Sequence, residues 1–358
     1  MKKKILTVIG ARPQFVKAAV LSKAIDNLKL FKEVMVHTGQ HYDNNMSKIF
    51  FNKLKIKKPK YYLDIKNLTH NLMLSKMIER IDQIYNIEKP DGLIVYGDTN
   101  STLSAAIAAK KRNIPVFHVE AGVRNYDETM PEESNRYLVD RISDINFCAT
   151  NLNLNNLILE GYNKKNIQSK IYKSGDVMYD LFKNVSRFDG KKINHKKKRS
   201  IVCTIHRENN IENLDNLRNI ISALNEIHKK NNIVFICHPR TKKKILEKRL
   251  NCSFKICDPV GYQTMIKHLL ECEYVITDSG GLVREAYFAK KKSLLILESA
   301  LWPEIVKQNY CINVSANKLK ILNGFSKLKK IKKKFKSGIF GNGQAAKLIV
   351  KQIYNFVK

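Results

Sequence analysis

Three carboxylates fall where a chain of this pattern can move protons. Asp98, in Gly97-Asp98-Thr99-Asn100-Ser101-Thr102, follows the strand-like run Gly92 to Tyr96 and precedes an apolar helix pattern. Glu120, in His118-Val119-Glu120-Ala121-Gly122, ends a second apolar run that starts at Pro115. Glu132 opens a further helix in Pro131-Glu132-Glu133-Ser134-Asn135-Arg136. The carboxyl ends of neighbouring strands are where α/β sheets bind ligands, and acids gathered there can act as general acid and base. Two of them have structural alternatives. Asp98 could be the N-cap of a helix beginning near Ser101. Glu132 could be a first-turn acid with Arg136 as its i,i+4 partner. Glu120, expected on the same strand face as His118, has no such simple account, and three acids on one sheet edge favour chemistry.

Three turns look built for an anion. Gly10-Ala11-Arg12-Pro13-Gln14 places Arg12 at a helix N-terminus, with Pro13 suited to the first helical turn and Lys17 one turn on. Thr204-Ile205-His206-Arg207-Glu208 mirrors it later in the chain, where His206 and Arg207 could grip a phosphate, or the histidine could merely cap or pack a loop. Asp278-Ser279-Gly280-Gly281 follows a strand and opens a helix that carries Glu285. Its glycines let backbone N–H groups approach a pyrophosphate and Ser279 adds a hydroxyl, while Glu285 could accept from a ribose diol.

The elements that must position these groups alternate strand and helix. Strands are expected at 4–9, 33–37, 92–96, 116–119, 145–148 and 171–173, then at 200–204, 233–237, 254–257, 274–277 and 294–297. Between the two series lies a basic, Gly-containing stretch, 187–198, that reads as a linker. Helical patterns intervene, as in 213–228 with Leu217, Ile220, Ile221 and Leu224 on one face. Such alternation implies parallel sheets with right-handed crossovers, hence an α/β chain of two Rossmann-like domains, 1–186 and 187–340, facing across a cleft.

Composition narrows the class. In 358 residues, Lys and Arg number 65 against 32 acids, a formal charge of +33. The lysines are scattered in separate clusters without interleaved aromatic residues, which argues against a nucleic-acid partner. No window is apolar enough to span a membrane. The start, MKKKILTVIG, runs into a helix pattern without a cleavage site and reads as a first buried strand. Seven scattered cysteines fit free thiols in a reducing, cytoplasmic setting without a structural zinc.

Taken in order along nearly the whole chain, Gly10-Ala-Arg-Pro-Gln14, Thr38-Gly-Gln-His41, Gly97-Asp-Thr99, His118-Val-Glu-Ala-Gly122, Pro131-Glu-Glu-Ser-Asn-Arg136, His206-Arg207, Asp278-Ser-Gly-Gly281 and Gly341-Asn-Gly-Gln344 resemble the non-hydrolysing UDP-N-acetylglucosamine 2-epimerases. The resemblance implies a GT-B-like fold, with a C-terminal helix near 344–357 crossing back to the first domain. It implies a homodimer acting on a UDP-sugar with neither metal nor redox cofactor. Carried over by position, it makes Asp98, Glu120 and Glu132 the catalytic acids and counts His206 both among the catalytic residues and among those that hold UDP. Arg12, Lys17, Arg207, Ser279, Gly280, Gly281 and Glu285 would hold UDP, Arg136 would lie near the reacting groups, and Gln40 and His41 would line the cleft.

The implied reaction is C2 epimerisation by loss and re-addition of UDP through a 2-acetamidoglucal, serving surface polysaccharide synthesis. A hydrolysing epimerase or a GT-B glycosyltransferase would share much of this frame. The chain departs from the family pattern at Val283 in Ser279-Gly-Gly-Leu-Val-Arg-Glu285, at Ala300-Leu-Trp-Pro-Glu304, at Met265 near the expected uracil position, and at Asp43. These departures leave the three acids untouched and bear on the sugar's identity and on activation by a second substrate molecule.

Overall fold

The computed structural model describes residues 2–40, 57–162, 164, 167–188, 200–332, 334–336 and 338–358. It divides into two compact units, Met1–Leu181 with Ser337–Lys358, and Phe182–Lys336.

The first unit is built on a seven-stranded parallel sheet. Its elements are β1 (Lys3–Ile9), α1 (Arg12–Leu28), β2 (Phe31–His37), β3 (Tyr61–Tyr62), α2 (His70–Glu88), β4 (Gly92–Tyr96), α3 (Asn100–Lys110), β5 (Val116–Ala121), α4 (Pro131–Ile142), β6 (Ile145–Cys148), α5 (Asn151–Leu159), β7 (Lys170–Lys173) and α6 (Val177–Phe188). The strand order is β3-β2-β1-β4-β5-β6-β7. Central strands such as β4, Gly-Leu-Ile-Val-Tyr, are buried along their whole length, as expected for strands covered on both faces. The chain turns to opposite sides of the sheet after β1 and after β4. That reversal opens a crevice at the carboxyl ends of these two adjacent strands, where such sheets bind ligands.

The second unit repeats the plan with β8 (Ser200–Thr204), α7 (Glu208–Glu212), α8 (Leu214–His228), β9 (Asn232–Ile236), α9 (Pro239–Glu247), β10 (Lys255–Cys257), α10 (Tyr262–Glu271), β11 (Tyr274–Thr277), α11 (Gly280–Phe288), β12 (Lys292–Ile296), α12 (Pro303–Lys307), β13 (Cys311–Val314) and α13 (Lys318–Lys330). The order β10-β9-β8-β11-β12-β13 reverses between β8 and β11. Helix α8 starts at Asn213, whose side chain caps the amides of Asp215 and Asn216, and buries Leu217, Ile220, Ile221, Leu224 and Ile227.

The last helix, α14 (Ala345–Val357), belongs to the first unit and packs on α1. Asp180 of α6 accepts from its first amides, Ala345 N at 3.1 Å and Ala346 N at 2.8 Å. The division between units falls inside α6, a few residues before the basic stretch expected as the linker. Two strands are additional to those expected. β3 is only two residues long, and β13 is an edge strand, half-buried along most of its length, whose Asn313 interrupts its apolar pattern. Both sit at sheet edges, where one-sided burial weakens the sequence signal.

Candidate active site

The crevice of the first unit is framed by two turns that Gln14 ties together. Its Oε1 accepts from Gly10 N at 2.7 Å and Ala11 N at 2.9 Å. Its amide nitrogen lies 2.8 Å from the Tyr96 carbonyl, 2.9 Å from Thr99 Oγ1 and 2.8 Å from Thr102 Oγ1. Gly10 is glycine for space: a Cβ there would run into the hydroxyls of Ser101 and Thr38. Arg12 opens α1, and its side chain lies outside the described residues.

Asp98 is not the helix cap that its position allows. Thr99 is the N-cap of α3, accepting from Thr102 N, which leaves the Asp98 carboxylate to Arg136. The guanidinium reaches Asp98 Oδ2 through Nε at 2.9 Å and a terminal nitrogen at 2.5 Å, while its other terminal nitrogen meets Glu133 Oε2 at 2.5 Å. Burial works against the charge on Arg136, but Asp98 and Glu133 outweigh it and raise its pKa further. Asn135 Nδ2 donates to the Asp98 carbonyl at 2.8 Å. The i,i+4 pairing of Glu132 with Arg136 does not form. On α4, positions 133, 136 and 140 share the buried face, and Glu132 stands exposed in the first turn.

Glu120 is also placed by a local irregularity. The register of β5 with β6 shifts between Val119 and Ala121, leaving Glu120 as an extra residue with φ at +74°. A β-bulge re-aims a side chain, so simple strand alternation with His118 does not describe it. A left-handed non-glycine residue costs on the order of 1–3 kcal/mol and such strain clusters at functional sites. The Glu120 carboxylate meets Lys17 Nζ at 2.8 Å, and the lysine is only 5% exposed.

Gln40 is half-buried and accepts from Ser101 N at 3.1 Å and Ser101 Oγ at 2.7 Å, so it leans on the start of α3. His41 and Asp43 lie outside the described residues. Next to this turn, His37 Nδ1 accepts from Gly39 N at 3.0 Å, and its ring stacks on Phe15 and Tyr62. Burial pushes the His37 pKa down to about 4.

In the second unit the corresponding crevice is organised by Asp278, which is fully buried. It accepts from the backbone of His206 at 3.0 Å and of Arg207 at 2.8 Å, and from Asn210 Nδ2 at 3.1 Å. His206 Nδ1 lies 3.0 Å from its Oδ1, with the imidazole otherwise partly exposed. Burial would raise the Asp278 pKa, but the hydrogen bond and charge of His206, with the Arg207 amide and Asn210, hold it below the usual carboxylate range. Arg207 Nε donates to the Asp278 carbonyl at 3.1 Å.

Ser279 caps α11 by accepting from Leu282 N at 3.3 Å. Gly280 is packed under Leu301, where a Cβ would come within 2.7 Å of Cδ1, whereas Gly281 is exposed. The N-terminus of α11 thus presents backbone N–H groups to an anion. Glu285 is half-buried one turn in, and Met265 is half-buried in the first turn of α10. In the departing segment, the Arg284 guanidinium lies over Trp302 at 4.8 Å. No group of three or more His, Cys, Asp or Glu side chains among the described residues is placed to hold a metal ion.

Sequence reasoning passed over Gln14, Glu133, Asp140, Asn210 and the role of Asp278. The spacing of Glu133, Arg136 and Asp140 was the available signal, since i, i+3 and i+7 share one helix face. The amide nitrogen of Gln14, Asn210 and Asp278 work through partners distant in the chain.

The family model for UDP-N-acetylglucosamine 2-epimerase matches residues 23–354. A UDP-N-acetylglucosamine 2-epimerase homolog of Methanococcus maripaludis is 42% identical, over 98% of this chain and 99% of its own. The UDP-2,3-diacetamido-2,3-dideoxy-D-glucuronate 2-epimerase of Pseudomonas aeruginosa is 44% identical, over 85% of this chain and 86% of its own. The crystal structure of Methanocaldococcus jannaschii UDP-GlcNAc 2-epimerase in complex with UDP-GlcNAc and UDP superposes with a TM-score of 0.87 at 34% identity, covering 98% and 99% of the two chains. With these likenesses spanning both units, the chain belongs to the UDP-N-acetylglucosamine 2-epimerase family.

Proposed function

We propose that the protein interconverts UDP-N-acetylglucosamine and its manno epimer without net hydrolysis. The observation that carries this reading is the pair of ion-paired carboxylates at the ends of adjacent strands, Asp98 with Arg136 and Glu120 with Lys17. The C2 proton of the sugar is not next to a carbonyl, so direct abstraction is too slow. Breaking the C1–O bond to UDP first gives an oxocarbenium-like C1 that acidifies it. A carboxylate takes the proton, leaving 2-acetamidoglucal and UDP. Protonation of C2 from the opposite face and return of UDP to C1 complete the epimerisation. Two faces require two differently placed acids, drawn from Asp98, Glu120 and Glu132.

His206, Arg207 and the amides and hydroxyl of Ser279-Gly280-Gly281 suit the departing diphosphate, and Glu285 suits the ribose diol. Arg12, Gln40 and His41 complete the sugar-nucleotide contacts, with Met265 at the base. The protein works as a cytoplasmic homodimer, with no metal or nicotinamide, and supplies an activated amino sugar for surface polysaccharide. Among the described residues no helix is long and apolar enough to cross a membrane.

A second sugar has support from the Pseudomonas aeruginosa relative, whose name specifies a 2,3-diacetamido glucuronate. Proton NMR in deuterated water with each UDP-sugar tests both. Deuterium entering C2 with the manno epimer appearing supports the proposal for that sugar. Free N-acetylmannosamine and UDP would instead show hydrolysis, and turnover only with an added acceptor would show glycosyl transfer.

A further inference from the structure

Asp98 and Glu120 stand on separate turns, and both turns use left-handed backbone: Gly97 has φ at +62° and Glu120 has +74°. A buried side-chain relay joins them. Gly97 N donates to the Val119 carbonyl at 3.0 Å, and the Gly97 carbonyl meets His118 Nε2 at 2.8 Å. Gly97, the residue immediately before Asp98, is therefore held at both its N–H and its carbonyl by β5, the strand that carries Glu120.

The other ring nitrogen, Nδ1, lies 2.7 Å from Asp140 Oδ1. The second oxygen of Asp140 accepts from Gly122 N at 3.0 Å, two residues past Glu120, and pairs with Arg124 at 2.8 Å. Arg124 is fixed in turn by both oxygens of Glu160, at 2.7 and 2.8 Å. His118 is 1% and Asp140 0% exposed, so neither is open to solvent, and they act on the site only through the groups that they hold.

We propose that His118 and Asp140 are positioning residues that set the spacing of Asp98 and Glu120: His118 through the Gly97 carbonyl, and Asp140 by orienting that imidazole and anchoring Gly122. This inference rests on the proposed epimerase activity. A buried network alone would serve stability, but this one ends on Gly97, next to Asp98, and on Gly122, two residues past Glu120. Its loss should therefore fall on the chemical step more than on substrate binding.

Two substitutions separate the ends of the relay. In His118→Asn the amide reaches the place of Nδ1, keeping Asp140 and losing Gly97. In His118→Gln it reaches the place of Nε2, keeping Gly97. Steady-state kinetics and melting points are measured on both with the sugar that the wild type turns over. Misplacing a reacting group by about 1 Å costs on the order of 100-fold. H118N is therefore expected to lose about 100-fold in kcat with KM within about threefold. H118Q should recover about tenfold of that loss at an equal melting point.

Equal kcat in the two variants, or losses that simply follow their melting points, would overturn the proposal. If H118N does not fold, Asp140→Asn decides: reduced kcat at near-constant KM supports the relay, and unchanged kcat refutes it. Absence of turnover by the wild type with any UDP-amino sugar would refute the activity reading itself, and this inference with it. Turnover by the wild type with indifferent variants would refute the relay alone.

Discussion

Replacing Gln14 with methionine tests how the turn of Arg12 is held to the turn of Asp98. Methionine matches glutamine closely in length and leaves no large void. The hydrogen bonds lost are not equivalent. On the amide nitrogen side, the Tyr96 carbonyl keeps Thr102 Oγ1 at 2.7 Å, and the hydroxyls of Thr99 and Thr102 keep each other at 3.2 Å. On the oxygen side, Gly10 N and Ala11 N are buried donors that lose their acceptor. Each orphaned donor costs about 1–3 kcal/mol, so the pair should destabilise the first unit by about 4 kcal/mol. For a unit of roughly 200 residues, at about 2–4 °C per kcal/mol, the midpoint should fall by about 8–16 °C. Calorimetry of the transition of that unit, with hydrogen exchange at the Gly10 and Ala11 amides, reads this directly. A midpoint within about 2 °C of wild type, with both amides still protected, would show that the donors find other acceptors and that Gln14 does not hold the two turns together.

His37 should make the first unit acid-sensitive. Its folded pKa is about 4 against 6.5 for an unperturbed histidine, so the unfolded chain binds the proton first. Stability is complete above about 6.5, falls as pH drops, and is about 2 kcal/mol lower by pH 5. Urea unfolding at pH 7 and pH 5 should show this fall, and His37→Gln should flatten it. Gly10→Ala would force the Ser101 and Thr38 hydroxyls apart, and should cost about 1–3 kcal/mol by thermal unfolding. Asp278→Asn places an amide where the His206 and Arg207 backbones and Asn210 all donate. UDP affinity by calorimetry should fall at least about tenfold, and unchanged affinity would remove Asp278 from the account of that turn.

Much of the architecture is legible in the chain because parallel strands covered on both faces must be continuously apolar. Runs such as Gly92–Tyr96 and Tyr274–Thr277 announce themselves at their true boundaries. Edge strands β3 and β13 do not, since one-sided burial tolerates Asn313 and exposed tyrosine. In the site, the structural alternative for Asp98 does not form, because Thr99 one residue later does the capping. The alternative for Glu132 does not form either, since its neighbour Glu133 takes the face that meets Arg136.

By itself the sequence determined the α/β alternation, the two strand series and the placing of Asp98 and Glu120 at strand ends. These follow from periodicity and chain order, which are local properties. Only the tertiary structure decided that Lys17 meets Glu120, that Arg136 meets Asp98, and that His118 reaches back to Gly97. Those pairings depend on β1 lying beside β4 and β4 beside β5, and on a one-residue shift of register at Glu120. Strand order and register are set by the packing of the whole sheet, so no short stretch of the chain encodes them.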